Sequence, residues 1–117
     1  MSLLDKEPVQ RVEKILKEFN QSLEIIILKN SAKTAEQAAE ALSCNVGAIV
    51  KSLLFKNENG FTLCLVSGDK RCSLKNLKKI KNQKDISMAS PEEVKAQTGY
   101  TIGGVSPVGH LKIMDIY

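Results

Sequence analysis

Tryptophan is absent from the chain, and aromatic residues make up only 4% of it. Proteins that bind single-stranded nucleic acid without sequence preference stack bases on aromatic side chains, so this scarcity argues against a stacking platform. Purely apolar runs are no longer than four residues, far short of the roughly 20 needed to cross a bilayer. The N-terminal stretch MSLLDKEP lacks the basic-then-apolar pattern of a secretory signal. We therefore expect a cytoplasmic protein that does not bind a membrane.

Cysteine and histidine are also scarce. The three cysteines, Cys44, Cys64 and Cys72, form no CxxC motif, and His110 is the only histidine. This pattern argues against a disulfide framework or a zinc site and for a reducing compartment. We expect structural rather than redox thiols, no metal and no cofactor. No Ser–His–Asp order can be assembled either, so an enzyme with this sequence would position water rather than use a covalent nucleophile.

The length of 117 residues and the hydrophobic fraction of 43% suit a single domain with one core. The net charge is +4. The charge is concentrated in one segment, and its basic residues are Lys70, Arg71, Lys75, Lys78, Lys79, Lys81 and Lys84. Such a segment attracts polyanions, most often nucleic acid. A solvated helix face explains the same pattern equally well.

Hydrophobic periodicity and capping residues predict four helices. They begin at Pro8, at Thr34 with Gln37 completing a capping box, at Ser73, and at Ser90 with Pro91 and Glu93. The second helix is predicted to run through about Leu42, and Gly99 is a plausible end for the fourth. In the third helix, we expect the apolar residues to face inward. These are Leu74, Leu77 and Ile80.

Four strands are predicted at 23–28, 49–56, 61–67 and 111–117 from their apolar and β-branched composition. The turn residues Asn57, Glu58, Asn59 and Gly60 join the second and third strands into a hairpin. This order of helices and strands predicts an α/β or α+β domain on one mixed, mostly antiparallel sheet flanked by helices.

Lys51 lies in the apolar strand IVKSLLFK, where neither face is cleanly polar. A strand of this kind is typically central and covered on both sides. An unpaired ammonium there would be costly. Either the lysine extends to the rim or pairs with a carboxylate, or it lies at a pocket wall and binds an anion such as a phosphate.

The stretch TGYTIGGVSPVGH holds four of the seven glycines and one of the three prolines. The segment 103–107 is not a phosphate loop, because it lacks the GK[ST] ending. Glycine lets main-chain groups approach a ligand closely, and Pro107 biases Ser106 towards an extended backbone. The segment is either a backbone wall that holds a polar group or developing oxyanion, or an ordinary tight turn. His110 is either a general base or a surface residue.

Three segments together resemble the YbaK family of aminoacyl-tRNA deacylases, which is related to the editing (insertion) domain of bacterial prolyl-tRNA synthetase. They are TAEQAAEALSCNVGAIVKSLLFK, LCLVSGDKRCSLKNLKKI and MASPEEVKAQTGYTIGGVSPVGH. The resemblance runs from about Thr34 to His110. It implies a cytoplasmic hydrolase that removes a wrongly attached amino acid, such as cysteine or alanine, from the 3′ end of tRNA, with tRNA-Pro as the expected substrate. Prolyl-tRNA synthetase is a possible partner.

The resemblance also implies roles for particular residues. Lys51 matches the family's essential lysine, which is expected to hold the phosphate of the terminal adenosine. Gly103 and Gly104, with Val105, Ser106 and Pro107, match a loop whose backbone shapes the pocket around the aminoacyl carbonyl. Ser52 and His110 are expected to contact substrate. The basic residues expected to guide tRNA are Lys70, Arg71, Lys75, Lys78 and Lys79.

Relatives of this kind continue beyond the position of Tyr117 with further strand and helix. We therefore expect one C-terminally short editing domain over residues 1–117 that either forms a homodimer or has weakened activity. An alternative to the enzyme is a non-catalytic tRNA- or synthetase-binding module of the same fold.

Overall fold

The centre of the fold is the antiparallel hairpin of β1 (Val50–Asn57) and β2 (Gly60–Ser67). The computed structural model describes residues 5–28 and 32–117. Two short strands flank the hairpin, β3 (Ser87–Met88) antiparallel to β1 and β4 (Asp115–Ile116) parallel to β2. The sheet order is β3-β1-β2-β4. This confirms the predicted mixed, mostly antiparallel sheet and the central position of β1.

The described helices are α1 (Glu7–Phe19), α2 (Ala35–Leu42), α3 (Leu74–Lys81) and α4 (Pro91–Thr98), with a 3-10 turn at Val46–Ala48. The last three begin at the predicted capping residues, and α1 has Pro8 in its first turn. The Ser90 hydroxyl accepts from the Glu93 amide, and the Glu93 carboxylate accepts from the Ser90 amide, which completes the predicted capping box of α4. Gly99 ends α4 at φ +82°. Of the helices described, none has both the length and the apolarity to cross a membrane.

The two faces of the sheet carry different apolar clusters. The α3-side core consists of Phe55, Cys64, Leu77 and Ile86. The pocket-side core consists of Leu54, Leu63, Ala89 and Val94. Neighbouring residues of one strand point to opposite faces, which explains why Leu54 and Phe55 belong to different clusters. The domain is therefore built in layers, with β1 covered on both sides.

The predicted strand at 23–28 was wrong. These residues are assigned to no strand, and Ile26 and Ile27 are 69% and 41% exposed. Their β-branched composition suits a strand, but a strand also needs a neighbouring backbone. The edges of the sheet are instead formed by β3 and β4.

Two further predictions need correction. The C-terminal strand is shorter than predicted, because the amides of Leu111 and Lys112 bond to the carbonyls of Thr98 and Gln97 at the end of α4 rather than to the sheet. Ile80 points outward and is 64% exposed, whereas Leu77 is buried. Ile86, which follows α3 in the chain, joins Leu77 in the α3-side core.

Candidate functional site

A cavity of about 410 Å³ lies beside the pocket-side core. Its walls come from the segment before α2 and its first turns, from β1, from the β3–α4 connection and from the loop after α4. Most of the lining side chains are small or aliphatic, among them Ala35, Ala38, Leu54, Ala89 and Val94. A cavity with such walls suits a small uncharged group.

The start of α2 forms one wall of the cavity. Thr34 caps the helix by accepting from the Gln37 amide at 3.1 Å. The Gln37 side chain accepts from the Lys33 amide at 2.8 Å, so the predicted capping box is only half formed. These two contacts hold the backbone of Lys33 at the cavity, where Lys33 is one of the lining residues.

Lys51 and Ser52 lie on β1 and both line the cavity. The half-buried Lys51 donates from its ammonium to the carbonyl oxygen of Lys70 at 2.6 Å. An ammonium has three donors, so two remain for a ligand. Because side chains alternate along a strand, the side chain of Lys51 points to the Phe55 side of β1 and that of Ser52 points to the Leu54 side. The Ser52 hydroxyl is buried and has no hydrogen-bond partner among the described residues.

The glycine pair forms a tight turn at the cavity wall. The Gly104 amide donates to the Thr101 carbonyl at 2.8 Å, and Gly103 has φ +85°, as the third position of a type II turn requires. Gly103 lines the cavity together with Ile102 and Val105. Gly104 is not a lining residue, and its amide is already bonded within the turn.

Ser106, Pro107 and His110 lie behind this turn rather than at the cavity lining. His110 contacts the Ser106 carbonyl through Nε2 at 2.7 Å. A carbonyl oxygen only accepts, so Nε2 carries the proton. Tyr100, whose ring lies edge-on to that of His110 at 6.2 Å, donates to the Val108 carbonyl at 2.8 Å. The observed contacts of His110 are those of a residue that fixes the loop. Its role in substrate binding, like that of Ser106 and Pro107, stays a prediction.

The basic segment begins next to the Lys51 ammonium, which donates to the carbonyl of Lys70. Four of its predicted tRNA-binding residues are exposed: Lys70, Arg71, Lys75 and Lys79. Lys78 is half-buried and lines a separate, shallow depression with Lys56 and Lys84. None of these five predicted tRNA-binding residues is among the described residues that line the cavity.

Several lining residues were missed by the sequence analysis, notably Lys33, Met88, Ala89, Val94 and Ile102. The run of alanines in α2 was the one available signal of a small-residue wall, since Ala35 and Ala38 both line the cavity. Lys33 and Ile102 carry no motif. Their positions depend on how α2 and the glycine turn are placed over β1.

Glu93 of α4 and Cys64 of the α3-side core have shifted pKa values. Hydrogen bonding from the Ser90 amide, followed by the Lys56 ammonium 3.0 Å away, holds the pKa of Glu93 below its ordinary value. Burial raises the pKa of the Cys64 thiol to about 12, so this thiol is neutral at physiological pH.

Among the described residues, no group of three or more His, Cys, Asp or Glu side chains is arranged to bind a metal ion.

Comparison with known proteins shows which family the chain resembles. Proline--tRNA ligase of Thermosipho africanus is 38% identical over 96 residues, which are 82% of this chain and 17% of the ligase. The uncharacterized protein YwhH of Bacillus subtilis is 34% identical over 101 residues, which are 86% of this chain and 64% of that protein. The chain thus spans only a small part of the ligase and about two thirds of YwhH.

A crystal structure provisionally described as a trans-editing enzyme for prolyl tRNA synthetase superposes with a TM-score of 0.89. It is 39% identical, and the match covers 96% of this chain and 71% of that one. The family model for the aminoacyl-tRNA editing domain matches residues 29–117. The resemblance noted in the sequence is thereby confirmed: the chain belongs to the aminoacyl-tRNA editing domain family.

Proposed function

We propose that this protein hydrolyses the ester of a mischarged aminoacyl-tRNA in trans, releasing a small amino acid such as cysteine or alanine from tRNA-Pro. The observation that supports this proposal is that one cavity is lined by Lys51, Ser52 and Gly103 together. The names of the ligase and of the trans-editing relative favour tRNA-Pro as the substrate and the cytoplasm as the place of action.

In this proposal, Lys51 binds the phosphate of the terminal adenosine. Its ammonium keeps the contact with the Lys70 carbonyl and offers its remaining donors to the phosphate oxygens. The exposed basic residues that start at Lys70 extend the electrostatic attraction towards the acceptor stem. Phosphate binding of this kind places the ester at the cavity without a contact to the amino acid itself.

The glycine turn polarises the ester carbonyl. The Gly104 amide is already hydrogen-bonded to the Thr101 carbonyl. In our proposal, the main-chain donor is therefore the Gly103 amide, and Gly104 only shapes the turn. A donor aimed at the position of the developing oxyanion lowers the barrier to acyl transfer. Water adds to the carbonyl carbon, the ester C–O bond breaks, and the departing ribose oxygen takes a proton.

No side-chain base is required for this reaction. The Nε2 atom of His110 is bonded to Ser106, and an aminoacyl ester is already activated. The vicinal hydroxyl of the substrate's own ribose orients the attacking water in our proposal, and the site contributes positioning.

The test is deacylation of tRNA-Pro charged with cysteine, alanine, serine or proline. Wild type, Lys51→Ala and the control Lys14→Ala are compared; Lys14 is an exposed lysine of α1 and is not a lining residue. We expect selective release by wild type and by Lys14→Ala, and a fall of roughly 10- to 100-fold in kcat/KM for Lys51→Ala, as for the loss of a charge-assisted hydrogen bond.

Failure of wild type to release any ester above background would overturn the proposed activity. If such a protein still bound tRNA, it would be a binding module of the same fold. Equal activity of Lys51→Ala and wild type would overturn the role of Lys51 but leave the hydrolase in place.

A further inference from the structure

Lys33 is a second cation at the cavity. The described lining residues include two lysines, Lys33 and Lys51, and no carboxylate. The two lysines come from different segments, one before α2 and the other on β1. The charge of Lys33 is therefore not balanced by an acidic side chain among the described lining residues.

The backbone of Lys33 is fixed while its side chain is exposed. Its amide donates to the Gln37 side chain at 2.8 Å, and the next residue, Thr34, caps α2. The acidic residue nearest in the chain is Glu36, which is exposed and does not line the cavity. A lysine held in this way can bind an anion at little conformational cost to its backbone.

We propose that Lys33 is a second phosphate-binding residue, which takes a phosphodiester of the tRNA 3′ end at the cavity wall formed by the segment before α2. This inference rests on the proposed function, because it assigns the ligand of the same cavity. The other described lining residues are mostly apolar and small, and none of them is a cation. An exposed lysine binds phosphate as a point charge, so the contact adds affinity without base specificity.

The experiment compares two substrates that share one ester and differ in phosphate. The first is alanylated tRNA-Pro, and the second is alanyl-adenosine, which has no phosphodiester. For Lys33→Ala, we expect the ratio of the two kcat/KM values to fall about 10-fold relative to wild type. Lys33→Arg should restore most of the ratio because it keeps the charge, and the control Lys14→Ala should leave the ratio at the wild-type value.

Salt dependence provides a second readout that a merely structural role would not change. A protein that releases one counterion fewer loses about 0.7 from the slope of log affinity against log salt for single strands. We expect a shallower slope for Lys33→Ala than for Lys14→Ala. An equal loss on both substrates, or an unchanged ratio with an unchanged slope, would overturn the proposal.

Failure of the proposed function can be told apart from failure of this inference. If wild type releases no ester, binding of the trinucleotide cytidylyl-cytidylyl-adenosine is measured instead by equilibrium dialysis. Weaker binding by Lys33→Ala than by wild type would support the phosphate role without any chemistry. Equal binding, or no binding by wild type, would overturn it.

Discussion

The two faces of the sheet differ in how completely they are filled. On the α3 side, Phe55 and Leu77 are 2% and 4% exposed and pack with Cys64 and Ile86. On the opposite side, Leu54 and Val94 are equally buried, yet a cavity of about 410 Å³ remains beside them. The cavity is lined by aliphatic side chains such as Leu54, Val94 and Ile102 together with alanine, serine and glycine residues.

This difference indicates that the α3 side of the sheet contributes mainly to stability and the pocket side to binding. Interiors are normally packed without voids larger than a water molecule, and an open cavity forgoes dispersion contacts along its walls. We therefore expect truncation of a large side chain in the α3-side core to cost more stability than truncation at the cavity wall. On the pocket side, part of the volume next to the core is occupied by the cavity instead of by side chains.

The largest effect is expected for a substitution in the α3-side core. Phe55→Ala removes a ring from the α3-side core, and we expect the free energy of unfolding to fall by about 3–5 kcal/mol, a large part of the roughly 5–15 kcal/mol that stabilises a domain. Urea unfolding followed by circular dichroism measures this. Met88→Ala is the control at the cavity, where the side chain is 55% exposed. A loss for Met88→Ala as large as that for Phe55→Ala would contradict the division between faces.

A smaller effect is expected for a substitution that fills the cavity. Ala38→Leu adds the bulk of a branched side chain to the cavity wall, and we expect kcat/KM for deacylation to fall about 10- to 200-fold. The stability should change little, because the added group enters open space. Ala41→Leu on the same helix is the control, since Ala41 is exposed and does not line the cavity. Unchanged deacylation by Ala38→Leu would show that the substrate is not bound in this cavity.

The smallest effect concerns the ion pair at the start of α4. The folded-state pKa of Glu93 is lowered by the Ser90 amide and the Lys56 ammonium, so its carboxylate stabilises the fold above the ordinary pKa of 4.5. That contribution is lost as the pH falls through 4.5 to the lower folded-state pKa. We expect Glu93→Gln to show a shallower loss of unfolding free energy than wild type between about pH 7 and about pH 3.

Glu92→Gln is the matched control for that measurement. Glu92 lies in the same first turn of α4 and is exposed, and its variant should keep the wild-type pH dependence. Identical pH dependence in Glu93→Gln and wild type would show that the lowered pKa contributes nothing measurable to folding.

Local chemistry predicted much of the secondary structure. The Ser90–Glu93 capping box and the Asn57–Gly60 turn were both predicted correctly, because each depends on residues a few positions apart. The predictions that failed needed distant information. The segment 23–28 has strand-like composition but no pairing strand, and Ile80 has helical spacing but Ile86 takes its place in the core.

The sequence by itself determined the Ser90–Glu93 capping box, the hairpin and the family. Only the tertiary structure decided which residues share a cavity. It joined Lys51 and Gly103 with the unforeseen Lys33, and it turned His110 to the loop behind the cavity. The reason is that a cavity wall is assembled from segments far apart in the chain, and their positions depend on how the helices pack on the sheet rather than on any local pattern.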